Sequence, residues 1–180
     1  MFRPPSYDHL LESFVPAGEQ EQWVVLHTRP RCEKKLIQHA ALQPAFLYVP
    51  TLRRAHNYGR RVREYDVPLF HGYVFAKIQR EHRAWFRNNP YVANLLEVTR
   101  EREFLLTLQS LAEALTAGLE MEVLPYLKAG KKIIVTGGPM KGLEAVIAEV
   151  KGGSRVLLHL ELIQKTVAME IDTAYIKAAE

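Results

Sequence analysis

Leu69-Phe70-His71-Gly72-Tyr73-Val74-Phe75-Ala76-Lys77-Ile78 is the strongest strand candidate in this chain of 180 residues. Leu69, Phe70, Tyr73 and Phe75 put large side chains on both of its faces. One face must be core. The other is either an exposed patch that meets another protein or the second side of a central strand covered above and below. N-terminal to it, residues 51–67 crowd Arg53, Arg54, Arg60, Arg61 and Arg63 around the turn signal Asn57-Tyr58-Gly59, which predicts an exposed hairpin or long loop. Further back, Phe46-Leu47-Tyr48-Val49-Pro50 reads as a strand. A helix precedes it, announced by Thr28 and Pro30, running through Cys32, Leu36, Ile37, Ala40 and Ala41, and stopped by Pro44. Residues 23–28 form the first strand.

C-terminal to the central stretch, a short helix around 82–88 and a strand over 92–98 are expected. A helix follows over 101–117, with Phe104, Leu105, Leu108, Leu111, Ala112 and Leu115 on one side and Gly118 at its end. Strands and helices thus alternate through 22–117, which makes an α/β domain. Residues 1–21, with Pro4, Pro5 and Pro16, read as a flexible lead-in. Residues 118–127 lack a period and read as a linker. From 128 to 180 the pattern is all strand. Ile133 and Val135 alternate with Lys132 and Ile134, and Gly137-Gly138-Pro139 turns the chain. After 146–150 and the turn Lys151-Gly152-Gly153-Ser154, Val156, Leu158, Leu160 and Leu162 alternate with Arg155, Leu157, His159 and Glu161. That spacing suits a small barrel of short strands.

Enzyme chemistry finds no foothold in this pattern. The seven histidines are scattered and none forms a His-Glu-x-x-His pair. The single cysteine, Cys32, excludes an internal disulfide, a zinc knuckle and a thiol redox pair, and reads as a helix-packing residue. Gly137-Gly138-Pro139-Met140-Lys141-Gly142 lacks the Gly-Lys-Ser/Thr ending of a phosphate loop and reads as a turn. Acidic residues are dispersed, so no metal cluster is expected. Residues 1–13 lack the apolar core of a signal peptide, and no stretch approaches the roughly 20 apolar residues of a membrane span. The expectation is a cytoplasmic protein with no membrane, metal or cofactor.

The charge is uneven. The chain carries 24 basic and 20 acidic residues, a net +4. Residues 29–64 hold nine basic residues and two acids, Glu33 and Glu64, so this segment carries +7 and the rest −3. On the first helix Arg31, Lys34, Lys35 and Gln38 lie away from Leu36 and Ala40, a stripe suited to phosphates.

Two segments resemble one family. Residues 23–29, Pro68-Leu69-Phe70-His71-Gly72-Tyr73-Val74-Phe75 and the strand over 92–98 resemble the N-terminal domain of NusG-type transcription elongation factors. Gly130-Lys131-Lys132-Ile133-Ile134-Val135-Thr136-Gly137-Gly138-Pro139-Met140-Lys141-Gly142-Leu143 resembles a KOW motif. Together they span 22–178 in the family's order.

The resemblance implies an α+β chain: an N-terminal α/β sandwich with a mainly antiparallel sheet over 22–117, then a small SH3-like β-barrel (KOW) over 128–180. It implies a monomeric transcription elongation and antitermination factor that binds the clamp helices of RNA polymerase, contacts the upstream non-template DNA strand, and recruits ribosome or termination factor through the KOW domain. Carried over, polymerase contact falls to His27, Phe70, His71, Phe75 and Val98. DNA contact falls to Arg29, Arg31, Lys34, Lys35, His39 and Tyr73. The chain has Phe70-His71-Gly72-Tyr73 where the family usually has Phe-Pro-Gly-Tyr, and Ala145 where it has Gly. It has Leu162-Ile163-Gln164 where Phe-Gly-Arg is common, and so is more similar to the specialised antiterminator paralogs. Some of those hide the polymerase site under a helical KOW segment. The period of two at Val156–Leu162 and at Val167, Met169 and Ile171 predicts strands instead. A ribosome-associated RNA-binding KOW protein is the alternative reading.

Overall fold

The computed structural model describes residues 7–57, 59, 61–125, 130–138, 140–150, 153–170 and 173–179. In chain order the elements are α1 (Tyr7–Ser13), β1 (Glu21–Thr28), α2 (Glu33–His39), β2 (Ala45–Tyr48), β3 (Thr51–Asn57), β4 (Val62–Pro68), β5 (Tyr73–Gln79), α3 (Arg83–Arg87), β6 (Val92–Glu97), α4 (Glu101–Thr116), β7 (Met121–Pro125), β8 (Lys131–Val135), β9 (Glu144–Val150), β10 (Gly153–Leu160), β11 (Lys165–Met169) and β12 (Ile176–Ala178). They fall into two compact units. One is Pro16–Glu101; the other combines Met1–Val15 with Arg102–Glu180.

In the first unit four strands form an antiparallel sheet in the order β2-β5-β1-β6. Two split βαβ units, β1-α2-β2 and β5-α3-β6, interleave to produce this order. Alternation along β1 and β5 sends Val24, Leu26, Val74, Ala76 and Ile78 to one face. There they form a buried cluster with Leu36 of α2, Phe86 of α3, and Val92 and Leu95 of β6. The opposite face carries the cross-strand pairs Trp23–Lys77, Val25–Phe75 and His27–Tyr73. β3 and β4 form a separate two-stranded ribbon between β2 and β5, closed at its root by the Leu69 amide donating to the Pro50 carbonyl at 2.8 Å.

Two local expectations for this unit are corrected. The central strand begins at Tyr73 rather than Leu69, because Gly72 adopts φ +81° and breaks the extended backbone. The first helix begins at Glu33 after Cys32, not at Thr28 and Pro30. Thr28 is the last residue of β1, and Arg31 at φ 59° prevents helix before that point.

In the second unit the lead-in forms a helix, α1, and Leu10 and Phe14 are buried. Gln109 of α4 donates to the Phe14 carbonyl at 2.9 Å. Helix α4 buries Leu105, Leu108, Leu111 and Ala112, as its period predicts. It ends on Gly118 at φ +70°, with Leu119 N donating to Ala114 O and Gly118 N to Leu115 O, the paired bonds of a Schellman motif. The compact units therefore divide at 101/102, whereas the sequence placed this helix with 22–117.

Six antiparallel strands follow in the order β12-β8-β9-β10-β11-β7. The segment expected as a linker contains β7, which pairs with β11 from Met121–Met169 to Pro125–Lys165. Residues 126–127 of that segment lie outside the described residues, as do residues 1–6, Tyr58, Arg60, Pro139, Lys151, Gly152 and Ile171, each invoked above. β10 and β11 are strands rather than helix. Their burial is two-sided: Val156, Leu158, Val167 and Met169 are buried on one face, and Leu157, Ala168 and Thr166 on the other. Leu157 was expected on the outward register. Leu162 falls in a 3-10 turn beyond β10. The glycine-rich segment after β8 is a turn, with Gly142 N donating to the Val135 carbonyl at 2.7 Å.

Candidate nucleic-acid interface

The end of β1 and the turn before β5 are locked together. Gly72 donates its N–H to the Glu33 carboxylate at 2.7 Å, and its carbonyl accepts from Thr28 N at 2.8 Å. At φ +81° Gly72 holds a backbone conformation that strains an L side chain, while a Cβ there would only touch the His27 imidazole at 3.6 Å. His27 in turn stacks on Tyr73, its cross-strand partner, with ring centroids 4.8 Å apart and planes inclined by 16°.

The same contact turns the acid of α2 away from its exposed face. Glu33 is the acid of this helix, and it is buried and committed to Gly72. Arg29, Arg31, Lys34, Lys35, Gln38 and His39 are exposed, so the exposed residues of 29–39 include four cations and no acid. Arg29 is anchored through its backbone N–H, which donates to the Tyr91 carbonyl at 2.9 Å.

At the far end of α2, His39 and Lys35 stand four residues apart and share a helix face. His39 lies 5.4 Å from Trp85 and 5.5 Å from Tyr91, centroid to centroid. Asn89, itself buried, accepts from Tyr91 N through Oδ1 and contacts His39 Nδ1 through Nδ2 at 3.0 Å. With Oδ1 so engaged, Nδ2 donates to Nδ1, and the neutral imidazole carries its proton on Nε2. His39, Ala84, Trp85, Asn88, Asn89 and Pro90 line a shallow groove of about 340 Å³. Sequence reading found His39 but missed Trp85, Asn89 and Tyr91. The turn signal Asn88-Asn89-Pro90 was the visible trace of this groove.

The residues expected to meet polymerase are divided. His71 is exposed, and His27 and Val98 are half-buried; Tyr73, expected at DNA, is half-buried too. Phe70 and Phe75 are interior, at 2% and 0% exposure. Their rings meet edge to face at 6.0 Å, and Phe75 lies 6.4 Å from Tyr48. The strand's second face is therefore covered in this structure, and those rings shape the turn from beneath. Burial also pushes the Tyr48 hydroxyl pKa upward. The β3–β4 ribbon is open: Arg53, Arg54, Arg61 and Arg63 are all exposed.

Residues 21–110 match the family described as transcription termination factor NusG. The chain belongs to the NusG family. It is 25% identical, over 166 residues, to the transcription termination/antitermination protein NusG of Lactococcus lactis subsp. lactis, covering 83% of this chain and 89% of that one. A solved structure concerned with domain interaction in Thermotoga maritima NusG is similar in fold. It has a TM-score of 0.50 and 19% identity, over 89% of this chain and 98% of that one. NusG membership makes the chain a transcription termination/antitermination factor, and the α+β fold expected of the family is the fold observed. No helix among the described residues is long and apolar enough to cross a membrane.

Proposed function

We propose that the chain works on RNA polymerase during elongation. In this reading the Pro16–Glu101 unit docks on the clamp helices, α2 follows the non-template DNA strand, and the C-terminal sheet recruits a second factor. The observation that carries it is the set of exposed cations over residues 29–35 beside a groove lined by His39 and Trp85. Cations suit phosphates and rings suit bases, the pairing that single-stranded nucleic acid requires. Arg29, Arg31, Lys34 and Lys35 supply the cations, and His39 with Trp85 and Tyr91 the rings. For polymerase docking, exposed His71 and the rims of His27 and Val98 are the contacts, with Phe70 and Phe75 as buried supports, while Tyr73 is assigned to DNA. The recruiting role rests on family membership and on the strands of residues 131–178.

The test uses the full-length chain and a fluorescent single-stranded DNA. Each phosphate contact on a single strand contributes a salt slope of about −0.7, so Lys34→Ala with Lys35→Ala should flatten the dependence by about 1.4. Polymerase co-purification should persist in that variant and weaken in His71→Ala. An unchanged slope would return α2 to an ordinary solvated face. A wild-type protein with no affinity for polymerase or its clamp helices would remove the docking claim.

A further inference from the structure

The β3–β4 ribbon sorts its charges by side. Residues directly opposite in an antiparallel pair share a face, and alternate residues switch faces. The register pairs Leu52 with Val67, Arg54 with Tyr65 and His56 with Arg63 on one face. It pairs Thr51 with Pro68, Arg53 with Asp66, Ala55 with Glu64 and Asn57 with Val62 on the other. The second face holds both acids, and Arg53 is paired with them: Nη1 is 3.7 Å from Glu64 and Nε 4.0 Å from Asp66. The first face holds Arg54 and Arg63 with no acid, and Tyr65, opposite Arg54 and two residues from Arg63, is 48% exposed. One side is thus +2 and the other −1, with His neutral.

We infer that the Arg54–Tyr65–Arg63 face of this ribbon is a second nucleic-acid surface, separate from α2, that takes double-stranded DNA. Charge complementarity on one face selects a polyanion. The shape selects a duplex. Two seven-residue strands make an arm about 23 Å long at roughly 3.3 Å per residue, and a two-stranded ribbon fits the B-form major groove. A single strand would need a stacking platform of several rings along a groove, as at His39, and this face offers one tyrosine. An A-form RNA duplex has a major groove too narrow to admit the ribbon.

The experiment measures binding of full-length protein to a fluorescent DNA duplex, an RNA duplex of the same sequence and a DNA single strand, across salt. Arg54→Gln with Arg63→Gln should flatten the duplex-DNA salt slope by about 1.8, at roughly 0.9 per phosphate. Between about 50 and 200 mM salt, the wild type should then lose roughly tenfold more duplex affinity than the variant. Arg53→Gln, on the opposite face, should leave duplex binding unchanged, and both variants should keep the wild-type dichroism spectrum. An equal loss in Arg53→Gln would overturn the sidedness. So would an unaltered duplex slope, an equal loss on the RNA duplex or single strand, or a loss confined to polymerase binding. The inference stands apart from the α2 reading. The Lys34/Lys35 variant should keep duplex binding while losing single-strand binding, so either surface can fail alone.

Discussion

Arg31 occupies φ 59°, the left-handed region, where an L side chain costs about 1 to 2 kcal/mol and glycine almost nothing. The residue is exposed, so no burial of its side chain offsets that strain. Arg31→Gly should therefore raise unfolding free energy by up to about 1 kcal/mol while weakening single-strand DNA binding; denaturant melts and anisotropy read the two effects. A variant less stable than wild type would mean that the side chain, not the backbone, is favourable there. Phe75 and His71 make the complementary case. Phe75→Ala should cost about 3 to 5 kcal/mol by leaving a cavity, and thereby report on folding. His71→Ala at an exposed turn should stay within about 0.5 kcal/mol of wild type. If Phe75→Ala melts like wild type, the ring is not core.

Among the elements, legibility followed the strength of the local pattern. Helix α4 was readable because its apolar period is sustained over four turns and closed by Gly118. The two-sided central strand was readable as an alternative, and the structure chose burial on both faces. Strand β7 was not readable: Met121-Glu122-Val123-Leu124-Pro125 has no clean alternation, and its partners in β11 stand 40 or more positions away in the chain. The groove around His39 was half legible, since His39 comes from α2, Trp85 from α3 and Asn89 and Pro90 from the turn after it. Leu157 was misplaced because period two predicts faces but not what covers them. One titratable group tests the sheet face that Leu157 occupies. His159 contacts Thr166 Oγ1 at 3.0 Å, and burial holds its pKa below the ordinary 6.5, with Glu161 opposing. The unfolded chain then binds the proton more readily than the folded one. Stability is full above about pH 6.5 and falls as pH drops below it. Thermal midpoints at pH 7.5 and 5.5 should differ more in wild type than in His159→Gln; equal differences would show that His159 is not part of the acid response.

For the molecule as a whole, the strand at 121–125 is part of the C-terminal sheet. A fragment starting at 119 keeps β7, while one starting at 128 exposes the whole edge of β11. Edge exposure of that kind invites pairing between copies. The shorter fragment should melt lower and show concentration-dependent association by sedimentation, and the longer one should not. Identical behaviour would mean that β7 contributes nothing to the sheet.

The β3–β4 arm differs from the rest in one more respect. It shares no ladder with either larger sheet, and two strands alone are barely stable in water. Its amides should trade hydrogen for deuterium far faster than those of β1 and β5, whose side chains sit in a closed core. Capturing a partner would then quiet the arm, and the slowing of exchange there would mark contact without any label on the partner.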